Sequence, residues 1–321
     1  MQIDSLKMFC DLVETESFTK AAQMNNVTQS AISQQIGSLE RQFNGPLVER
    51  SKKRFRLTRE GQVLYDYSKQ ILAMHESLHN RFQEMKGIIS GTIRVGAVYS
   101  IGLYDLPPYL KGFLKAYPSV NVRVEYRHAG QVYGDVLGNV VDLGLVAYPS
   151  RNAGLETIPL RKESLVLVCH PAHPLAKVKT LRLKDLQGQK FVHFETDSPT
   201  RRAIDQLLKD AKVSVETVME FDNIETVKRA VEIEAGVAIV PQPTITLEVS
   251  KKALAEVKLE GKDLVRPLAV IYKKGKVLSP AMKKFLAALK DEKSLEASEL
   301  GQLLPKAKAR PPAAPVLTPA I

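Results

Sequence analysis

The sequence predicts a multidomain chain of α and α/β class: a winged helix-turn-helix at the N-terminus, a long linker helix, and a C-terminal α/β domain of two subdomains. Three observations predict it. Phe18–Phe43 reads as two short helices around a tight turn, followed by a basic two-strand segment. Residues 62–86 contain neither proline nor glycine and carry one apolar stripe from end to end. Beyond Gly91, segments of strand and helix periodicity alternate to about residue 290.

Residues 4–14 form the first helix, with Leu6, Phe9, Cys10 and Val13 on the face that covers the next two helices. Thr19–Met24 is built on the small pair Ala21-Ala22, which permits close helix approach, and Asn25-Asn26 supplies turn chemistry. Thr28 is a strong N-cap for the following helix, in which Ala31, Ile32, Ile36, Leu39 and Phe43 recur at helical spacing as a stripe expected to be buried. The opposite stripe holds Gln29, Ser30, Ser33 and Gln34, short polar side chains able to donate and accept hydrogen bonds on base edges in a major groove. An amphipathic helical hairpin without that role is the plain alternative for this stretch alone.

Gly45-Pro46 then breaks the pattern, and Leu47-Val48 and Phe55–Leu57 read as two short strands. Arg50, Lys52, Lys53, Arg54, Arg56 and Arg59 crowd this hairpin, with no acid from Ser51 to Arg59. A basic hairpin beside a helix-turn-helix is a wing, whose charges suit phosphate contacts that position without reading sequence. Thr58 caps the long helix, on which Leu64, Tyr67, Ile71, Met74, Leu78, Phe82 and Met85 are spaced three or four apart. At 1.5 Å per residue this helix spans roughly 40 Å. A stripe that long outruns one small domain and predicts pairing with a second copy.

Within this helix His75-Glu76-Ser77-Leu78-His79 satisfies the HExxH pattern of zinc metalloproteases. Leu78 belongs to the apolar stripe and no GxxH continuation follows, so no metal site and no cofactor are predicted. Gly87–Gly91 is a glycine-bounded hinge. After it come strands at 92–98, 120–126, 143–147, 165–169, 190–194, 215–221, 237–240, 255–259 and 268–272. Helices are expected from about 103 and at 131–138, 201–211, 224–234 and 280–289. Such alternation predicts mainly parallel sheets flanked by helices and two subdomains with a cleft between them. The end of the chain, ARPPAAPVLTPAI, is rich in proline and alanine and reads as disordered.

The chain has 321 residues, 44% of them hydrophobic, and a formal net charge of +11. That balance suits a polyanionic partner but by itself assigns none. Cys10 and Cys169 lie far apart in apolar runs and read as buried free thiols. The opening MQIDSLKMF is amphipathic rather than an apolar signal core, and no apolar run approaches membrane-spanning length, which together predict a cytoplasmic protein with no membrane partner.

Residues 1–290 resemble the LysR-type transcriptional regulators. The most specific segments are SFTKAAQMNNVTQSAISQQIGSLE, the wing closing in LTREG, GTIRVGA after the hinge, VDLGLV and EAGVAIVP. Two family pairs after the recognition helix are replaced by Phe43-Asn44 and Leu47-Val48. The resemblance implies a winged helix-turn-helix over 1–58, a linker and dimerisation helix over 59–87, an effector domain over 92–290 similar to periplasmic binding proteins, and a tail over 291–321. Subdomain I would comprise about 92–163 with 267–290, and subdomain II about 164–266. It implies double-stranded promoter DNA, a small effector and a homodimer or homotetramer as partners. Thr28, Gln29, Ser30, Ser33 and Gln34 would face bases, and Arg50, Lys52, Lys53 and Arg54 phosphates. Strand ends and helix N-termini facing the cleft select Ser100, Ala147, Tyr148, Ser198, Thr200 and Asn223 for the effector, and hydroxyls beside helix N-termini favour an anion.

Two other classes are weaker. A solute-binding or transport protein explains the α/β half but leaves residues 1–87 unused. An enzyme lacks a sequence basis: there is no Gly-rich phosphate loop and no nucleophile elbow, and the metalloprotease pattern sits on the apolar stripe.

Overall fold

The computed structural model describes residues 2–51, 54–261 and 264–291; the wing-tip residues Lys52 and Lys53 and the proline-rich tail lie outside them. The N-terminal unit packs α1 (Ile3–Thr15), α2 (Phe18–Met24) and α3 (Gln29–Gln42) around Leu6, Phe9, Leu12, Ala21, Ile32, Ile36 and Leu39. Each junction is chemically specified. At the end of α2, Asn26 takes φ +53°, and the N–H groups of Asn26 and Val27 donate to the carbonyls of Gln23 (3.2 Å) and Ala22 (3.1 Å). Asn44 does the same after α3, at φ +54°, with the Gly45 N–H donating to the Glu40 carbonyl at 3.0 Å. Both are Schellman turns, and asparagine tolerates the left-handed position they require.

The hairpin of β1 (Val48–Ser51) and β2 (Arg54–Leu57) is antiparallel. It leads into α4 (Arg59–Met85), which starts flush against the hairpin base. Thr58 Oγ1 accepts the Gly61 N–H (2.9 Å), donates to the Pro46 carbonyl (2.7 Å), and its own N–H reaches the Leu47 carbonyl (3.1 Å). Gly61 is buried so closely that a Cβ there would lie 2.0 Å from the Leu47 carbonyl oxygen. The LTREG segment is thus a cap and a close approach in five residues.

The α/β region has two lobes. The first is a sheet in the order β4 (Val120–Arg127), β3 (Gly91–Val98), β5 (Leu143–Ala147), β12 (Val265–Lys273), β6 (Leu155–Cys169). Its helices are α5 (Leu106–Ala116), α6 (Ala129–Leu137) and α10 (Pro280–Lys290), with a wide turn at Ile101–Asp105. Alternation along β5 is clean: Leu143, Leu145 and Ala147 join the core with Phe113 and Phe285, while Val146 joins Val132 and Val136 beneath α6. Gly144 leaves that second face bare because Ile271, Val132 and Val136 would all lie within 3 Å of a Cβ. The second lobe continues β6 with β11 (Ala255–Glu260), β7 (Thr180–Arg182) and β10 (Ala238–Pro241), adds the pair β8 (Lys190–Phe194) and β9 (Glu216–Phe221), and carries α7 (Pro199–Asp210), α8 (Ile224–Glu232) and α9 (Thr246–Ser250).

Sequence periodicity misses several features here. The sheets are mixed rather than mainly parallel. β6 carries the chain out of the first lobe and β12 brings it back, so the two run antiparallel to each other, and β12 is antiparallel to β5 as well. β6 also begins ten residues before the apolar run that marks it, because Leu155–Ser164 is punctuated by charges. Finally, Phe43 is no part of the buried stripe; its ring is 48% exposed beside Val63 and Tyr67 of α4. It follows α3 as the C-cap, where the chain already turns away from the helix axis.

Candidate nucleic-acid interface and ligand cleft

Helix α3 presents Gln29, Ser30 and Gln34 to solvent with Ser33 half-buried, while Ile32, Ile36 and Leu39 fill the core behind them. Thr28 accepts the Ala31 N–H at 3.2 Å and lies 2.9 Å from the Ser30 hydroxyl, fixing the first turn. The turn before α3 is held from α1: Lys7 Nζ donates to Asn25 Oδ1 (2.7 Å), and Asn25 Nδ2 donates to Asp11 Oδ2 (2.7 Å). Of the wing cations, Arg50 lies in β1 and Arg54 in β2.

The apolar stripe of α4 divides in two. Leu64 and Ile71 pack on the N-terminal core, together with Tyr65 and Leu72. Tyr67, Met74, Leu78, Phe82 and Met85 are exposed, and a groove of about 800 Å3 runs between the first three of them and Ile3, Val277 and Pro280. His75 and His79 stand on the same helix with ring centroids 5.1 Å apart, both exposed. Among the described residues no three histidine, cysteine or acidic side chains cluster to hold a metal. Cys10 and Cys169 are free and buried, and burial pushes their thiols up to about 12 and about 11.

A cavity of about 70 Å3 separates the lobes at the C-terminal ends of β3, β4, β5 and β8. Five of the six residues selected for the effector line it: Ser100, Ala147, Ser198, Thr200 and Asn223. Tyr148 does not. It sits at φ +48° with its N–H on the Pro267 carbonyl (2.8 Å), and its hydroxyl donates to the Val265 carbonyl at 3.3 Å. Three helix N-termini converge on the cavity, with His128 (α6), Ser198 (α7) and Asn223 (α8) at the N-cap positions. Asn223 Oδ1 already accepts the N–H groups of Glu225 (3.0 Å) and Thr226 (3.2 Å), whereas the Ser198 side chain makes no capping bond. Across the mouth, His128 Nε2 stands 3.9 Å from Asp222 Oδ2.

Sequence reasoning misses the cations of this cavity. Arg266 is buried, donates twice to Glu163 (2.9 and 2.6 Å) and once to the Ser100 hydroxyl (2.8 Å). Burial pushes the Glu163 carboxyl above its usual range, while the adjoining Arg266 pulls the other way. Arg127, also on the cavity wall, bonds Asp135 at 3.1 Å and Glu125. A usable signal existed for Arg266: a lone charge inside the apolar strand VRPLAV.

These features define a class: a helical nucleic-acid-binding unit joined by one long helix to a two-lobed, ligand-binding α/β domain. Residues 86–294 match the family described as LysR substrate binding domain, and residues 3–62 match the bacterial regulatory helix-turn-helix protein, lysR family. The chain belongs to the LysR family of transcriptional regulators, with an effector-binding domain. It is 30% identical to a probable RuBisCO transcriptional regulator of Cyanidioschyzon merolae, over 87% of this chain and 94% of that protein. Its fold is that of full-length CbnR solved with its target DNA (TM-score 0.65, 22% identity, 92% and 100% of the two chains). The Synechocystis CcmR regulatory domain, solved with 2-PG, superposes with TM-score 0.58 at 25% identity, covering 63% and 96% of the chains. No helix among the described residues is long and apolar enough to cross a membrane.

Proposed function

We propose that this protein is a cytoplasmic, sequence-specific regulator whose grip on promoter DNA responds to a small anion bound between the two lobes. Residues 1–58 bind DNA: Thr28, Gln29, Ser30, Ser33 and Gln34 read bases, and Arg50, Lys52, Lys53 and Arg54 hold phosphates. The exposed half of α4 pairs with a second copy. The lobes of residues 92–290 take the effector on Ser100, Ala147, Ser198, Thr200 and Asn223, with Arg266 behind them. The observation that carries the anion is the convergence of three helix N-termini on one cavity beside Arg266. Aligned peptide dipoles at those ends favour negative charge, and at α7, where Ser198 makes no capping bond, N–H groups are left for it. The CcmR regulatory domain, on a related fold, was solved in complex with 2-PG, which supports a small-molecule effector.

The test is a gel-shift titration against DNA upstream of the protein's own gene, with non-specific competitor at two salt concentrations, followed by unbiased site selection. Specific binding that survives competitor and shifts on adding a small anion is the expected result. Binding that falls equally for every sequence as salt rises, with no selected site, refutes sequence reading. Replacing Lys53 by Gln should lower affinity for all DNA alike and reduce the salt slope by about 0.9 per phosphate lost.

A further inference from the structure

We infer that Tyr104 latches the two lobes together in the absence of ligand, so that the cleft rests closed. Tyr104 lies in the Ile101–Asp105 turn, which the first lobe pins at both ends. Ser100 accepts from Arg266 at 2.8 Å, and Asp105 receives a two-pronged bond from Arg161, one prong at 2.8 Å. Between these anchors the Tyr104 ring crosses to the second lobe and packs on its core. There its hydroxyl donates to Glu225 and accepts from Lys228 Nζ at 2.5 Å.

Lys228 is 1% exposed, and its other contacts, the Thr244 carbonyl (3.0 Å), Glu248 (2.7 Å) and Glu225 (3.1 Å), all belong to the second lobe. The ammonium also sits 4.5 Å from the centroid of the Tyr104 ring. One phenol from the first lobe therefore bridges the Glu225–Lys228 ion pair of the other, and opening the lobes strips a hydrogen bond from both members of that pair at once. Losing a hydrogen bond to each of two charged groups, one of them buried, is costly, which biases the pair toward contact. The latch shares its elements with the cleft: Ser100 precedes the turn, and α8, capped at the cavity by Asn223, carries Glu225 and Lys228. With the latch made, the cleft holds about 70 Å3, half of the roughly 150 Å3 that admits benzene in an engineered cavity. Tyr104 and Lys228 do not line the cavity themselves; the latch bears on it through Ser100 and the N-terminus of α8. The inference rests on the cleft being the effector site.

Hydrogen–deuterium exchange of the full-length, ligand-free protein tests it, comparing wild type with Tyr104→Phe and, as a second variant, Tyr104→Leu. Amides of 99–105 and 222–229 should exchange about tenfold faster or more in the variants, the scale of losing a charge-assisted hydrogen bond. Amides of the strand 91–97 should not change. Unchanged exchange in both variants overturns the latch, as does equal acceleration across 91–97, which would make Tyr104 a general stabiliser of its own lobe. No DNA or effector enters this measurement, so a failed gel shift and a failed latch are told apart.

Discussion

Replacing Gly61 by alanine sets two physical effects against each other. Within a helix, alanine is favoured over glycine by about 1 kcal/mol, so propensity predicts a more stable protein. Packing predicts the reverse. The added Cβ would lie 2.0 Å from the Leu47 carbonyl oxygen and 3.0 Å from its carbon and from Leu57 Cδ2. Ordinary contact begins more than 1 Å farther out, and the obstacle is backbone, which cannot rotate aside. Helix α4 has to retreat from the hairpin base, stretching the Thr58-to-Leu47 bond of 3.1 Å and the Thr58 cap of 2.9 Å. Overpacking of this kind costs about 3 kcal/mol, and a lost cap adds about 1 kcal/mol. After the gain in propensity, the net loss is about 3 kcal/mol. For a unit of this size, that lowers the melting temperature by roughly 12 °C or more. Differential scanning calorimetry of the full chain reads it in the transition of the N-terminal unit. A midpoint that stays or rises would show that α4 does not seat on the hairpin as described.

Replacing Ser33 or Gln34 with alanine should relax base preference by about 1–3 kcal/mol at the contacted position, read as a flattened profile in site selection. A glutamate at Leu78, in the exposed half of α4, should dissociate the assembly, and an unchanged mass by light scattering refutes pairing through that face. Arg266→Gln leaves Glu163 buried beside an uncharged partner; it should cost about 3–5 kcal/mol in denaturant unfolding and abolish any anion-induced stabilisation, whereas a retained response removes Arg266 from the site. His193, buried beside Arg201, has its pKa lowered to about 4, chiefly by burial. Above its unfolded pKa of about 6.5 it is neutral in both states. As pH falls through 6.5 toward 4 the unfolded chain takes up the proton first, so stability drops by up to about 3 kcal/mol. His193→Gln should remove that share of the acid sensitivity.

Local chemistry was legible wherever one element announces itself. Thr28, Asn26 and Thr58 mark caps and turns that need no distant partner to be recognised, whereas the close approach at Gly61 is set by the hairpin base at Leu47. The cleft was half legible for the same reason: Ser198 and Asn223 mark helix starts, and strand ends can be counted. What escaped depends on pairing across the chain. Arg266 and Glu163 are 103 residues apart, and each looks like a surface charge until the register sets them opposite each other. The polar first half of β6 is a strand because β12 covers it. Tyr148 was misdirected by a left-handed backbone at a strand end, a property of the turn rather than of tyrosine.

The two central strands carry a mechanical consequence. In place of a flexible tether, one strand joins the lobes: β6 pairs with β12 on the side of the first lobe and with β11 and β10 in the second. Prolines at 159 and 267 sit where the β6–β12 register slips, removing N–H donors at that one place. Bending therefore concentrates at the irregular stretch while the rest of the strand stays stiff, as in a leaf spring with one thin section. Such a joint stores the work of deformation and returns it.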